Sequence, residues 1–176
     1  MDIIVDSKIP YPRERVYSAL RDHMPDLAQF LPNVESITVK ERNEPAPGIV
    51  DLVNLWKAAR TEIPAVARPF IDQSKLNWLD RAHWTASDWT CAWSLEVGFM
   101  PERVKCSGKT TYEEDGPLST RMRLRGTLVL DLKGLLPGLI ARTATPSVEA
   151  FIVKLVQPNF AKTVDAVNRY LAQQGP

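Results

Sequence analysis

The sequence predicts an α+β protein: an antiparallel sheet of about seven strands, two short helices after the first strand, and one long C-terminal helix. Two patterns carry this. From about Pro146 to Gln173, the residues Val148, Phe151, Ile152, Leu155, Val156, Phe160, Val164, Val167 and Leu171 recur every three or four positions, the spacing of one apolar helix face. At helical rise the stretch reaches about 40 Å. Upstream, apolar and polar residues alternate in short runs bounded by turn-forming clusters, the pattern of half-buried strands. A long amphipathic helix after a run of strands lies across one face of their sheet.

The elements follow in order. Ile3, Val5, Ser7 and Ile9 alternate with Asp2, Asp6 and Lys8 up to Pro10, a first strand. Pro12 suits a helix start, because it lacks a donor the first turn would leave unpaired. Val16, Tyr17 and Leu20 give that helix its apolar side, and His23 to Phe30 reads as a second short helix. Strands are then expected at Val34 to about Arg42, Ile49 to Ala58, Lys75 to Ala86, Thr90 to Phe99, Val104 to Glu113 and Thr120 to Leu132. In the last of these, Met122, Leu124, Leu128 and Leu130 share one face and Arg121, Arg123 and Arg125 the other. Gly126, on the apolar face, is expected to mark a bend or bulge.

Successive antiparallel strands place alternate connections at opposite ends of a sheet. Asn43–Gly48, Ser87–Asp88 and Glu114–Ser119 are short and polar. Ala59–Ser74, Met100–Arg103 and Lys133–Ala141 are apolar, through Val66, Phe70, Ile71, Met100, Leu135 and Leu136 among others. Loops run over wet surface, so apolar loops gathered at one end either fold inward as a plug or form the mouth of a pocket and touch a membrane. Nearby Arg60, Arg68, Lys75, Arg103, Lys105, Lys133 and Arg142 would favour an anionic surface.

The bulk numbers fit one domain over residues 1–176 with an ordinary core: 44% hydrophobic residues and a net charge of +1. That charge gives no electrostatic case for nucleic acid. The N-terminal stretch has no basic leader with an apolar core, no run of about 20 apolar residues is present, and Cys91 and Cys106 read as reduced small hydrophobes; a cytoplasmic protein is expected. His23 and His83 are the only histidines, neither with a ligand at usable spacing, so no metal site is expected. GxSxG, GxGxxG and phosphate-loop motifs are absent, and no catalytic residue or cofactor is assigned.

The run Ile9-Pro10-Tyr11-Pro12-Arg13-Glu14-Arg15-Val16-Tyr17, then Leu20, Phe30-Leu31-Pro32 and Val34-Glu35-Ser36-Ile37, resembles the opening of the START/Bet v 1-like (SRPBCC) superfamily, which includes lipid-transfer domains, polyketide cyclases and coenzyme Q-binding proteins. The order of elements resembles its helix-grip fold along the whole chain. The apolar connection between the third and fourth strands is similar to the lid of PRELI-like phospholipid carriers. The resemblance implies a curved sheet wrapped round the C-terminal helix, with an apolar cavity between them.

Trp56, Trp78, Trp84 and Trp93 fall on successive strands, on the face expected to point inward, with Leu95, Met122 and Leu124 in phase and Phe151 and Leu155 opposite on the helix. Together they are the expected pocket wall. Asp80 and Asn54 are polar groups in phase with this face and would need partners, a ligand group among them. The reading put first is a binder or carrier of a hydrophobic small molecule, a lipid foremost, with Ala59–Ser74 as a lid and transient membrane contact. A cyclase- or dehydratase-like enzyme using Asp80, Asn54 and Tyr112 is the alternative. A protein-interaction domain using the apolar loop end is a third. A cavity of roughly 300 Å³ or more would support ligand binding. Pro158 is expected to kink or interrupt the helix near Lys154–Val156, with Pro146 to Val156 facing the mouth and the part from Asn159 onward as a fixed anchor.

Overall fold

The computed structural model describes residues 1–59, 72–99, 101–131 and 138–175, side chains at 73, 138–145, 148, 149, 151, 152 and 154–157 excepted. Strand β1 (Asp2–Ile9) leads into helices α1 (Arg13–Asp22) and α2 (Met24–Leu27), the latter continued by a 3₁₀ turn, Ala28–Phe30. Strands β2 (Val34–Ala46), β3 (Ile49–Ala58), β4 (Asn77–Thr85), β5 (Thr90–Val97), β6 (Val104–Glu114) and β7 (Thr120–Leu130) follow, and helix α3 (Gly138–Gln173) comes last.

The seven strands form one antiparallel sheet in the order β1-β7-β6-β5-β4-β3-β2. Consecutive strands pair from β2 to β7, and β1 closes on β7, leaving β1 and β2 as the two edges. The helices between β1 and β2 therefore bridge the open side. This curved open sheet with a C-terminal helix is the helix-grip architecture. Register shifts between β2 and β3 at Val34/Ser36, Val39/Glu41 and Asn43/Ala46 put extra residues into the edge strand, and such bulges increase local twist.

The alternation decides which face is buried. On β7, Met122, Leu124 and Leu128 are buried while Arg125, Thr127 and Val129 are exposed. The outer face carries charge ladders: Arg121 and Arg123 both reach Asp6 on β1, at 3.2 and 3.3 Å, and Arg123 also pairs with Glu113 on β6. The inner face packs on the helices. Val16, Tyr17, Ala19 and Leu20 of α1 and Val164, Ala166, Val167, Tyr170 and Leu171 of α3 are buried there. Arg15 donates to the carbonyl of Gly175 at 2.6 Å and ties the last turn of the chain to α1.

Several expectations need correction. The turn after β2 is shorter than expected: β2 runs to Ala46, and Gly48, at φ 77°, makes the turn in a conformation that glycine adopts without strain. Helix α3 begins at Gly138, so residues 138–141 are helical rather than loop, and Pro146 and Pro158 both lie inside it. The helix continues through Pro158 without interruption, although a proline there removes its own donor and crowds the carbonyl four residues back. Gly126 marks no bulge. The β6–β7 register is unbroken from Val104↔Leu130 to Glu114↔Thr120, and the glycine has a packing role described below. Phe99, expected to end a strand, lies beyond β5 and is buried at 3% exposure, as is Leu76. That side of the sheet thus has its own inward-turned apolar cover.

Candidate functional site: an aromatic cavity under the C-terminal helix

The strand register lays the inner-face residues in rows across the sheet. One row runs Trp56, Trp78, Val97; the next runs Asn54, Asp80, Leu95, Cys106, Leu128. Beyond these come Leu52, Ala82, Trp93, Gly108, Gly126, and then Val50, Trp84, Cys91, Thr110, Leu124. The two glycines are adjacent in the row of Trp93. A Cβ added at Gly108 or Gly126 would approach the Trp93 ring to 2.5 and 2.6 Å. Their missing side chains let the indole lie over β6 and β7, where its Nε1–H donates to Thr110 Oγ1 at 3.2 Å. Phe160 of α3 meets the same ring at 4.9 Å between centroids.

Between these rows and the helices lies a cavity of about 100 Å³. That is below the roughly 300 Å³ at which small-molecule pockets begin, so the described cavity is smaller than the expected one. Trp56, Trp78, Trp84, Trp93, Leu95, Met122, Leu124, Asn54 and Asp80 line it, so the structure brings together these sequence-predicted residues. The side chains of Phe151 and Leu155 fall outside the described residues, as do Val66, Phe70, Ile71, Met100, Leu135 and Leu136.

The lining also includes residues that the sequence reading missed. Leu20 and Met24 come from α1 and α2, and Asn159, Phe160 and Thr163 from α3. The segment after Asn159 therefore lines the cavity as well as anchoring the helix. Phe160 was visible as part of the apolar stripe; Leu20 was visible only as part of the apolar side of α1 and Met24 not at all, because nothing local says that α1 and α2 fold over the open sheet. Cys91 and Thr110 lie in phase with the wall and were available to the alternation argument.

Polar groups on this wall are few and incompletely paired. Asn54 is 2% exposed, and its Oδ1 makes no hydrogen bond. The Nε1–H groups of Trp56 and Trp84 are also buried without a hydrogen-bond partner. Asp80 is enclosed by protein but fronts the cavity, so it keeps some surface while losing its hydration. Burial raises its pKa from 3.8 to about 6, opposed by the Asn54 side chain and the Trp56 indole, which favour the carboxylate. The Trp56 N–H is thus near enough to act on Asp80 electrostatically, yet short of hydrogen-bond geometry. Burial likewise pushes the Cys91 thiol and the Tyr112 phenol well up, and the Cys106 thiol to about 12. None of these three is charged near neutral pH. Outside the cavity, Glu96 faces solvent with Arg81 at 3.4 Å, and His83 pairs with Asp51 at 2.6 Å on the outer face.

One end of the cavity is sealed. Tyr17 of α1 meets Trp84, Trp89 and Tyr112 edge-on at 5.1, 5.2 and 5.4 Å. Its hydroxyl donates to the carbonyl of Thr90 at 3.4 Å, and Arg13 caps the outer ring, 4.1 Å over Trp89. This end is the one with the short polar turns.

A curved antiparallel sheet gripping a C-terminal helix is the START/Bet v 1-like (SRPBCC) fold, and this chain has it. TTHA0849 from Thermus thermophilus is similar over 100% of both chains, with a TM-score of 0.68 and 19% identity. Zhui aromatase/cyclase from Streptomyces sp. R1128 is similar over 100% of this chain and 96% of its own, at TM-score 0.66 and 16% identity. Norcoclaurine synthase from Thalictrum flavum is similar over 98% and 86%, at TM-score 0.58 and 10% identity. No family model and no curated protein matches the sequence. Among the described residues, no helix is long and apolar enough to cross a membrane.

Proposed function

We propose that the chain, residues 1–176, is one ligand-binding domain that holds a hydrophobic small molecule between the sheet and α3. The observation that carries this is the cavity itself: a space between sheet and helices lined by Trp56, Trp78, Trp84, Trp93, Tyr112 and Phe160. Side chains this large could close a core, yet here they surround space. Its volume suits a ring system or a single short chain better than a two-chain phospholipid. The structural neighbours support a compact aromatic ligand, since one is an aromatase/cyclase and another has been solved with dopamine and hydroxybenzaldehyde. A lipid is the finer reading favoured by the loop composition. Transient membrane contact through Val66, Phe70, Ile71, Met100, Leu135 and Leu136 belongs with it and rests on sequence alone. Cytoplasmic residence accords with two buried, unpaired cysteines.

Native mass spectrometry of gently purified protein, followed by extraction, tests the reading. A bound small molecule is expected, displaced in an Ala82→Phe variant that fills the cavity from β4. A protein empty from several hosts, with tryptophan fluorescence unmoved by 1-naphthylmethanol, would overturn it. Co-sedimentation with anionic vesicles decides the membrane part.

A second reading, cyclase- or dehydratase-like catalysis, is favoured by Asp80. A carboxyl with a pKa of about 6 in a dry site can give or take a proton near neutral pH. With a turned-over substrate in hand, Asp80→Asn and Tyr112→Phe should each lower kcat by a factor of about 100 or more. Unchanged turnover in both variants removes this reading.

A further inference from the structure

The cavity's polar groups indicate what its ligand carries. Asp80 and Asn54 are register partners on β4 and β3, so their side chains stand beside each other on the cavity wall. The Asn54 amide favours the Asp80 carboxylate, which requires its N–H side to be turned toward Asp80. Its Oδ1 is then left buried and without a hydrogen bond. The pair presents two acceptors, one of them an acid. Among the described lining residues, Asp80 is the one acid and there is no Lys, Arg or His. An acid in an apolar space without a basic partner is a costly arrangement unless something else supplies donors or positive charge. The flanking walls are aromatic: Trp56 stacks with Trp78 at 5.5 Å and Trp84 with Tyr112 at 5.9 Å. Aromatic faces attract cations and stack with rings.

We propose that the cavity selects a compact aromatic amine, its ammonium N–H groups donating to Asp80 and Asn54 Oδ1 and its ring lying among the tryptophans. This rests on the ligand-binding reading above and deepens it. An ammonium offers three donors and a positive charge, which matches two adjacent acceptors better than a hydroxyl, with one donor and no charge. An anionic ligand would meet Asp80 as a like charge and is disfavoured.

The test compares three probes with one two-ring frame: 1-naphthylmethylamine, 1-naphthylmethanol and 1-naphthoate, titrated against the tryptophan fluorescence of the full chain at pH 7.5. The amine is expected to bind about 10-fold or more tighter than the alcohol, as charged hydrogen bonds do relative to neutral ones, and the naphthoate weakest. In Asp80→Asn the preference for amine over alcohol should disappear.

A pH series on the unaltered protein checks the same point without a variant. The amine's advantage should fall as pH drops through 6 and Asp80 takes up a proton. The other titratable groups lining the described cavity are Cys91 on β5 and Tyr112 on β6, with Cys106 in the same strand row as Asp80, all uncharged over that range. Amine and alcohol binding equally, or a preference that survives in Asp80→Asn, overturns this inference and leaves the ligand-binding reading standing. Failure of all three probes to bind overturns both.

Discussion

Two aromatic clusters share the inner face of this sheet and differ in how far their polar groups are paired. At the polar-turn end, Tyr17 touches three rings edge-on, places its hydroxyl on the carbonyl of Thr90, and leaves Trp89 capped by Arg13. Toward the other end of the wall, Trp56 and Trp78 stack beside Asp80 and Asn54, where an indole N–H and an amide oxygen are buried without hydrogen bonds. Trp84 belongs to both: its ring packs in the sealed cluster while its N–H is unpaired. Proteins pair nearly all buried polar groups. In the first cluster the Tyr17 hydroxyl is paired, while Arg13 Nε is buried without a hydrogen bond. The second adds an acid, Asp80, to its unpaired N–H and amide oxygen, and on the proposal above a ligand supplies their partners.

The sharpest way to break the contrast is at Tyr17. Tyr17→Ala removes a ring with 2% exposure that meets three others, and should cost about 3–5 kcal/mol in urea unfolding. A loss under about 1 kcal/mol would mean that the sealed end is not a core.

Asp80→Leu should do the opposite. The folded-state pKa of about 6 lies above the 3.8 of an unperturbed carboxyl, so the folded state holds this proton more tightly than the unfolded chain. The stability linked to it is fully present below 3.8 and is lost as pH rises through 6, a difference on the order of 3 kcal/mol. The leucine variant should therefore be more stable than the parent at pH 7.5, by about 1–3 kcal/mol, with the gain vanishing near pH 4. A variant less stable than the parent at pH 7.5 would make Asp80 a structural partner.

Gly126→Ala tests the wall between the clusters. The new methyl would sit 2.6 Å from the Trp93 ring and 2.8 Å from the carbonyl oxygen of Ser107. Stability should fall by about 1–3 kcal/mol, with weaker quenching by ligand as Trp93 is displaced. An unchanged urea midpoint would show that the ring has room to spare.

The smallest effect belongs to the outer face. Glu96→Gln loosens an exposed pair with Arg81 at 3.4 Å and should change stability by less than about 0.5 kcal/mol, with ligand affinity unmoved. Glu96 is next to Leu95 in sequence, so this variant measures how completely the sheet separates its faces.

Much of the site was legible because strand alternation is local. Trp93, Leu95 and Val97 share a face whatever surrounds them, and knowing that the strands pair consecutively was enough to put Asn54, Asp80 and the tryptophans on one wall. The long helix was legible for the same reason, though its stripe was read only from about Pro146 and the helix begins at Gly138. Leu20 and Met24 escaped because their role depends on α1 and α2 folding back over the sheet. Gly126 was read as a break in a strand because its neighbour Trp93 lies far away in sequence, two strands earlier.

By itself the sequence determined the strand faces, the order of the elements and the presence of an acid among aromatics, since each follows from periodicity within a few residues. Only the tertiary structure decided which aromatics close on one another and which surround space. That depends on contacts between distant segments: Tyr17 reaching Trp84 and Tyr112, Trp93 lying over two glycines of other strands, and Phe160 descending from α3. Whether Asp80 ends as a surface charge or a dry one at the cavity wall is set by the same contacts, because desolvation belongs to the assembled surroundings and not to the residue.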